Sequence, residues 1–354
     1  MEFSPLPGSS LRPDPFSTKR LRIFTWHVHG SYLFYLSQGA YDLFIPIDKG
    51  KSEGYYGRGE TFPFGSNVFE IAAEDVKNQD FDCLLFQTNR NYKTDQYEIL
   101  SEKQRRLPKI YLEHDPPRKH PTDTQHLVDD SSVKLVHVTH FNKLMWDNGK
   151  TPSYVIEHGV SDPNIPYTGS VNRGIVVINN LSKRGRLLGL DIFEKVRKYV
   201  PLDLVGMGTE DLGLGEILHP QLPGFTSKYR FFFNPIRYTS LGLAVVEAMM
   251  AGIPVVGLST TELSTVIRNG VNGYIHTDVD YLIGKMHQLL EDPKLAFRIG
   301  QEGRRTALRR FNIERFTSDW KSLFEEAVFS PGIDNSSILA GQKQYKHSPI
   351  EYEK

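Results

Sequence analysis

The segment TSLGLAVVEAMMAGIPVVG (239–257) decides the reading of the fold. It opens on two hydroxyl residues, Thr239 and Ser240, that can cap a helix beginning near Leu241, and it breaks at Gly252 and Pro254 before the strand-like IPVVG. A helix so apolar must be largely buried, yet Glu247 sits in its middle. A buried carboxylate without a partner is costly, so protein groups or a ligand must satisfy it. Gly242 in the first turn lets a ligand approach the backbone, and free amides at a helix start favour an anion. Glu247 lies roughly 7 Å further along the axis at ~1.5 Å per residue. That spacing suits a nucleotide, with diphosphate at the helix end and ribose hydroxyls at the carboxylate.

Outward from this segment, short apolar runs bounded by turn residues recur along the chain. LRIFTWH (21–27), DLFIPI (42–47), FDCLLFQT (81–88), KIYLEH (109–114) and KLVHVT (134–139) read as strands, with helices around SYLFYLSQ and FNKLMW. After a break at DPNIPYTGSVN (162–172) a second series follows: GIVVIN (174–179), LDLVG (202–206), YRFFFN (229–234) and IPVVG (253–257). Strand and helix alternate in both series, which predicts an α/β protein of two Rossmann-like, doubly wound domains facing across a cleft. The expected division is an N-terminal domain over 20–163, a C-terminal domain over 164–312 and a closing helix over 313–329. Polar tails are expected at 1–19 and 330–354.

Composition removes several function classes. The chain has 354 residues, more than one core usually serves, with 42 basic and 42 acidic residues. Zero formal net charge gives no electrostatic footprint for nucleic acid. Cys83 is the only cysteine, in the apolar run DCLLF, so no intramolecular disulfide or thiolate metal site is available. A reducing, cytoplasmic setting is expected. No apolar run reaches the ~18 residues that span a bilayer, so any membrane association would be peripheral, at an inner membrane face.

Several motifs together resemble the family-four retaining glycosyltransferases, which have the GT-B fold. RYTSLGLAVVEAMMAGIPVVGLSTTELSTVIRNGVNGYI (237–275) is similar to their nucleotide-sugar signature. VIEHGVSD (155–162) resembles the interdomain motif, VGMGTED (205–211) the Gly-x-Gly turn, and IYLEHDPP (110–117) the N-domain strand ending in histidine. The resemblance implies transfer of a sugar from a nucleoside diphosphate sugar to an acceptor hydroxyl, with retained configuration and without a metal or other cofactor. Its usual setting is polysaccharide or glycoconjugate synthesis. Aligned on the family's E-x7-E pair, Glu247 takes the ribose, while the first glutamate falls on Thr239. The amides at Gly242 and Leu243 would hold the diphosphate. The usual Gly-Gly of the following loop is Thr261-Glu262, and Glu262 is a candidate for the absent carboxylate. Two other readings fit this architecture: a catalytically silent nucleotide-sugar-binding subunit, and a nucleotide-sugar epimerase.

The remaining candidates sit in strand-to-helix loops. NNLSKRGR (179–186) offers Arg186, then Lys183, then Arg184 as partners for the leaving diphosphate. His114 is expected near the transferred sugar, with Asp115 available to fix its tautomer. In WHVHGS (26–31), Gly30 keeps one glycine of the family's loop. His27 and His29 alternate in direction, so one is expected to face the cleft and the other the packing. His158 replaces an asparagine in the interdomain turn, where packing is its expected role.

Overall fold

The computed structural model describes residues 20–329, and the tails expected at 1–19 and 330–354 lie outside them. Among the described residues, twelve strands form two sheets. The first contains β1 (Arg22–Thr25), β2 (Asp42–Ile47), β3 (Val68–Ala72), β4 (Cys83–Phe86), β5 (Lys109–Glu113), β6 (Val133–His137) and β7 (Ser153–Val155), in the order β3-β2-β1-β4-β5-β6-β7. The second contains β8 (Val171–Val177), β9 (Leu202–Val205), β10 (Tyr229–Asn234), β11 (Val255–Leu258) and β12 (Gly273–His276), in the order β12-β11-β10-β8-β9. Every ladder between these strands is parallel. Central strands such as CLLF and YRFFFN are buried along their whole length, as parallel strands covered on both faces must be. The expectation of two doubly wound parallel domains is met.

Strand order locates the binding crevices. The winding direction reverses between β1 and β4 in the first sheet and between β8 and β10 in the second, and ligands of such sheets sit outside the carboxyl ends of the strands at that reversal. Both crevices open toward the seam between the domains. Three edge strands, β3, β7 and β12, were not among the expected elements. VFEIA leaves Phe69 41% exposed, SYV has three residues, and GYIH begins on glycine, so none carries a full buried run.

One apolar core runs across the seam. It joins Tyr32, Leu33 and Leu36 of the first domain to Val245 and Met249 of the second and to Phe316, Trp320 and Phe324 of the closing helix. That helix, Ile313–Phe329, lies on the first domain: the Trp320 indole N–H donates to the Tyr32 hydroxyl at 3.1 Å, and Phe324 meets Tyr41 edge-on. Ion pairs flank the crossing, with Arg304 on Asp162, Arg310 on Glu157 and Lys134 on Glu326.

Candidate functional site

The helix that follows β10 runs Leu243–Met250, and its N-cap is Gly242, with no side chain capping it. The capping role expected of Thr239 and Ser240 is therefore corrected. The chain approaches the helix in an extended conformation at Gly242, which leaves the hydroxyls outside the first turn. A Cβ on Gly242 would meet nothing within 4 Å, and among the described residues the amides of Leu243 and Ala244 donate to no protein acceptor. The helix start is thus open, uncapped and rich in free donors, which is the arrangement an anion requires. At the far end, Gly252 adopts φ +78° and closes the helix before β11, the left-handed conformation that glycine takes without strain.

Glu247 faces the seam one turn into this helix. Its Oε1 accepts a hydrogen bond from the Tyr35 hydroxyl at 2.8 Å and another from His219 Nε2 at 3.1 Å, and Tyr35 and His219 stand 3.3 Å apart. Protein groups therefore answer part of the question posed by a carboxylate in an apolar helix. They come from both domains, since Tyr35 lies on helix Gly30–Leu36 and His219 on the loop that leads from β9 to helix Leu222–Thr226. Burial first, and the neighbouring carboxylate second, push the Tyr35 phenol far above its usual range, so it stays protonated and donates. Val177, Leu222, Phe232 and Ala244 line a small apolar pocket beside the carboxylate.

The histidines sort by direction. His27 is packing: its Nδ1 meets the Gly57 carbonyl at 2.7 Å, and its ring touches Tyr56, Phe62 and Phe64. Gly30 serves the same packing, because a Cβ there would lie 2.3 Å from the Phe62 ring, so the space it leaves is filled by protein. His29 opens onto the cleft, its ring tilted against that of His114 with centroids 4.0 Å apart. His114 Nε2 lies 3.2 Å from Gln87 Oε1, and Gln87 donates its own amide to Thr25 Oγ1 and to the Trp26 carbonyl. An acceptor oxygen in that position requires the Nε2–H tautomer and leaves His114 Nδ1 as an acceptor. Desolvation, reinforced by His29 and His158, holds His114 well below the ordinary imidazole range, so it is neutral. Asp115, expected as its orienting partner, instead pairs with Arg118 at 2.6 Å. His158 is buried, with Nε2 donating to the Leu241 carbonyl at 2.6 Å, which ties the interdomain turn to the donor helix.

Among the cations, Arg186 is bound to Asp191 at 2.5 Å, on an aspartate that Arg237 also holds. Arg184 is the member of the group that reaches the cleft, within electrostatic range of His29, Asp115 and Arg118. Burial, then Arg118, lower its affinity for its proton from the usual guanidinium value. Lys183 and Arg184 are both solvent-exposed on the short helical turn Leu181–Arg184. The geometry thus puts Arg184 ahead of Arg186. Thr239 is half-buried on the loop between β10 and the donor helix, next to Tyr238, whose hydroxyl crosses the cleft to the Pro117 carbonyl at 2.9 Å.

Glu262 does not supply the carboxylate that Thr239 lacks. It is 2% exposed, with Oε2 accepting from the Phe141 amide at 2.8 Å and Oε1 from Thr265 Oγ1 and Arg310. Phe141 lies in the first turn of helix His140–Met145 of the first domain, so Glu262 works as a carboxylate cap delivered from the opposite domain. Sequence reasoning missed Tyr35, His219, Gln87 and Arg118. Tyr35 lay in the aromatic run SYLFYL, where core and cleft residues look alike, and His219 sits 28 residues from Glu247 in a loop without a motif. Among the described residues, no three of His, Cys, Asp and Glu converge to hold a metal, and no helix is long and apolar enough to cross a membrane.

Residues 173–292 match the family described as glycosyl transferases group 1. N-acetyl-alpha-D-glucosaminyl L-malate synthase of Bacillus anthracis is 28% identical over 91 residues, which is 25% of this chain and 24% of that protein. The match to this curated relative therefore spans about a quarter of its length. Among solved structures, sucrose-phosphate synthase from Thermosynechococcus elongatus superposes with TM-score 0.63 at 13% identity, covering 87% of this chain and 99% of that one. Anabaena HepE, solved in complex with UDP and glucose, gives TM-score 0.61 at 14% identity, covering 87% and 100%. The chain has the two-domain GT-B fold, and its C-terminal domain carries the likeness to the group 1 glycosyl transferases.

Proposed function

We propose that this protein is a retaining glycosyltransferase that moves a sugar from a nucleoside diphosphate sugar to an acceptor hydroxyl without a metal. The observation that carries the reading is the open start of helix Leu243–Met250: free amides at Leu243 and Ala244, no Cβ on Gly242, and Glu247 one turn inside. In this reading the diphosphate rests on those amides with Arg184 and Lys183 neutralising it, and the ribose hydroxyls reach Glu247. The neutral His114, with Nδ1 free to accept, receives a hydroxyl of the transferred sugar. The acceptor enters from the side of the first domain, past His29.

A second reading, a nucleotide-sugar-binding subunit without turnover, draws on one specific observation. Thr239 is a neutral hydroxyl where a carboxylate would stand beside the sugar, and Glu262 is occupied elsewhere. Thermal shift against UDP-, GDP- and ADP-sugars, followed by hydrolysis and transfer assays with and without EDTA, tests both. Stabilisation with EDTA-resistant turnover supports the transferase. Stabilisation without turnover favours the binding subunit, and no stabilisation by any nucleotide sugar defeats both.

A further inference from the structure

The two oxygens of Glu247 are not equivalent. Oε1 is committed to Tyr35 at 2.8 Å and to His219 at 3.1 Å, whereas no described donor reaches Oε2, and the side chain keeps 17% of its surface open to solvent. Both donors are themselves held in place. Tyr35 is 5% exposed on helix Gly30–Leu36, and the His219 ring is wedged against Phe62 at 5.1 Å, Phe34 at 5.6 Å and Tyr35 at 5.7 Å. Those three aromatics belong to the first domain, while Glu247 and His219 belong to the second. A carboxylate on a flexible side chain is a good ligand only when its rotamer is fixed, and here the fixing groups exist only when the domains are together.

The geometry points to Tyr35 and His219 as positioning residues that pin Oε1 of Glu247 and turn Oε2 toward the ribose, so that the donor site is complete only across the closed seam. The inference rests on the ribose reading of Glu247 and adds the residues that set it. Two consequences follow. The first domain, assigned so far to the acceptor side, also tunes donor affinity through Tyr35, which need not touch the nucleotide. The phenol must be the donor, because the carboxylate cannot donate, so Tyr35→Phe removes the bond while keeping the ring and its packing.

The test compares UDP with 2′-deoxy-UDP by calorimetry on the full chain, with the guanosine and adenosine pairs alongside. In wild type the ribonucleotide should bind more tightly than its deoxy partner, because one hydroxyl contact is lost. In Tyr35→Phe the ribonucleotide should weaken about fivefold to tenfold, the order expected for the net loss of one hydrogen bond. The ratio of ribo- to deoxynucleotide affinity should fall with it. A merely structural role would weaken both nucleotides alike and leave that ratio unchanged. His219→Gln, which retains a donor, should stay near wild type, while His219→Leu should follow Tyr35→Phe. An unchanged ratio in Tyr35→Phe, or tighter binding as expected of a gate that blocks the site, overturns the inference. If Glu247→Gln binds as wild type, or no nucleotide binds wild type, the ribose reading itself falls and this inference with it.

Discussion

Glu247 accepts hydrogen bonds from opposite sides of the domain seam, and that separates the effects of its substitutions. Glu247→Gln keeps an oxygen for Tyr35 and His219 but loses the charge, so folding should be retained while nucleotide affinity drops by about 1–3 kcal/mol, measured by calorimetry. Glu247→Ala leaves the Tyr35 hydroxyl, 5% exposed, with only the longer 3.3 Å contact to His219 in place of the carboxylate, and should lower unfolding stability by about 1–3 kcal/mol as well. His114 tests the sugar side of the cleft. It is neutral and fixed by Gln87, so its part in transfer is to accept a hydrogen bond, and His114→Ala should reduce turnover tenfold to a hundredfold, about 1–3 kcal/mol, with nucleoside diphosphate affinity little changed. Turnover equal to wild type in that variant removes His114 from the reaction. The sequence pointed to Glu247 because a charge in an apolar helix breaks its own pattern. Nothing comparable marked Tyr35, whose partner lies 212 residues away.

At the scale of elements, the loop after β11 shows how one departure from a sequence pattern can serve structure. Thr261 adopts φ 50°, in the left-handed region that disfavours a β-branched residue, and it delivers Glu262 into the start of helix His140–Met145. Three donors converge on Glu262: the Phe141 amide, Thr265 and Arg310. Removing a buried carboxylate from such a set leaves donors unpaired, so Glu262→Ala should destabilise the protein by about 3 kcal/mol in denaturant unfolding. Nucleotide affinity should stay within a factor of two of wild type, and a large loss of affinity without loss of stability would return Glu262 to the donor site. The same physics explains which elements were legible. Central strands announce themselves as unbroken apolar runs, whereas β3, β7 and β12 lie at sheet edges and need only half a pattern. Helix Pro293–Arg310 was not expected, because apart from Ile299 its buried face is built on small residues, Ala296, Gly300, Gly303 and Ala307, that do not read as an apolar stripe. Gly300 is required there, since a Cβ would lie 2.0 Å from the Gly252 carbonyl.

Across the whole molecule, stability depends on histidines that fold in the neutral state. His158 at the domain crossing and His137 in β6 are buried, and desolvation carries each from 6.5 down to about 4. Hydrogen bonds to the Leu241 carbonyl and to Asn148 oppose that fall without reversing it. His114, His27 and His29 are lowered in the same direction. Because the folded pKa lies below the unfolded one, the unfolded chain binds more protons between the two values, and folding weakens as pH falls. The contribution is fully present above pH 6.5 and is lost on approach to pH 4, by about 3 kcal/mol for each of His158 and His137. Carboxylates held low, such as Asp162 beside Arg304, begin to lose their contribution only below their ordinary value of 3.8, so the two windows separate. His158→Gln keeps a side-chain donor at the Nε2 position for the Leu241 carbonyl and cannot titrate. Relative to wild type it should therefore gain stability progressively from pH 6.5 to pH 4, reaching about 3 kcal/mol, with little difference at pH 8. Chemical denaturation at four or five pH values across that interval measures it. Parallel pH profiles for the two proteins would mean that His158 takes up its proton equally in the folded and unfolded states, and burial would then not be what sets its titration.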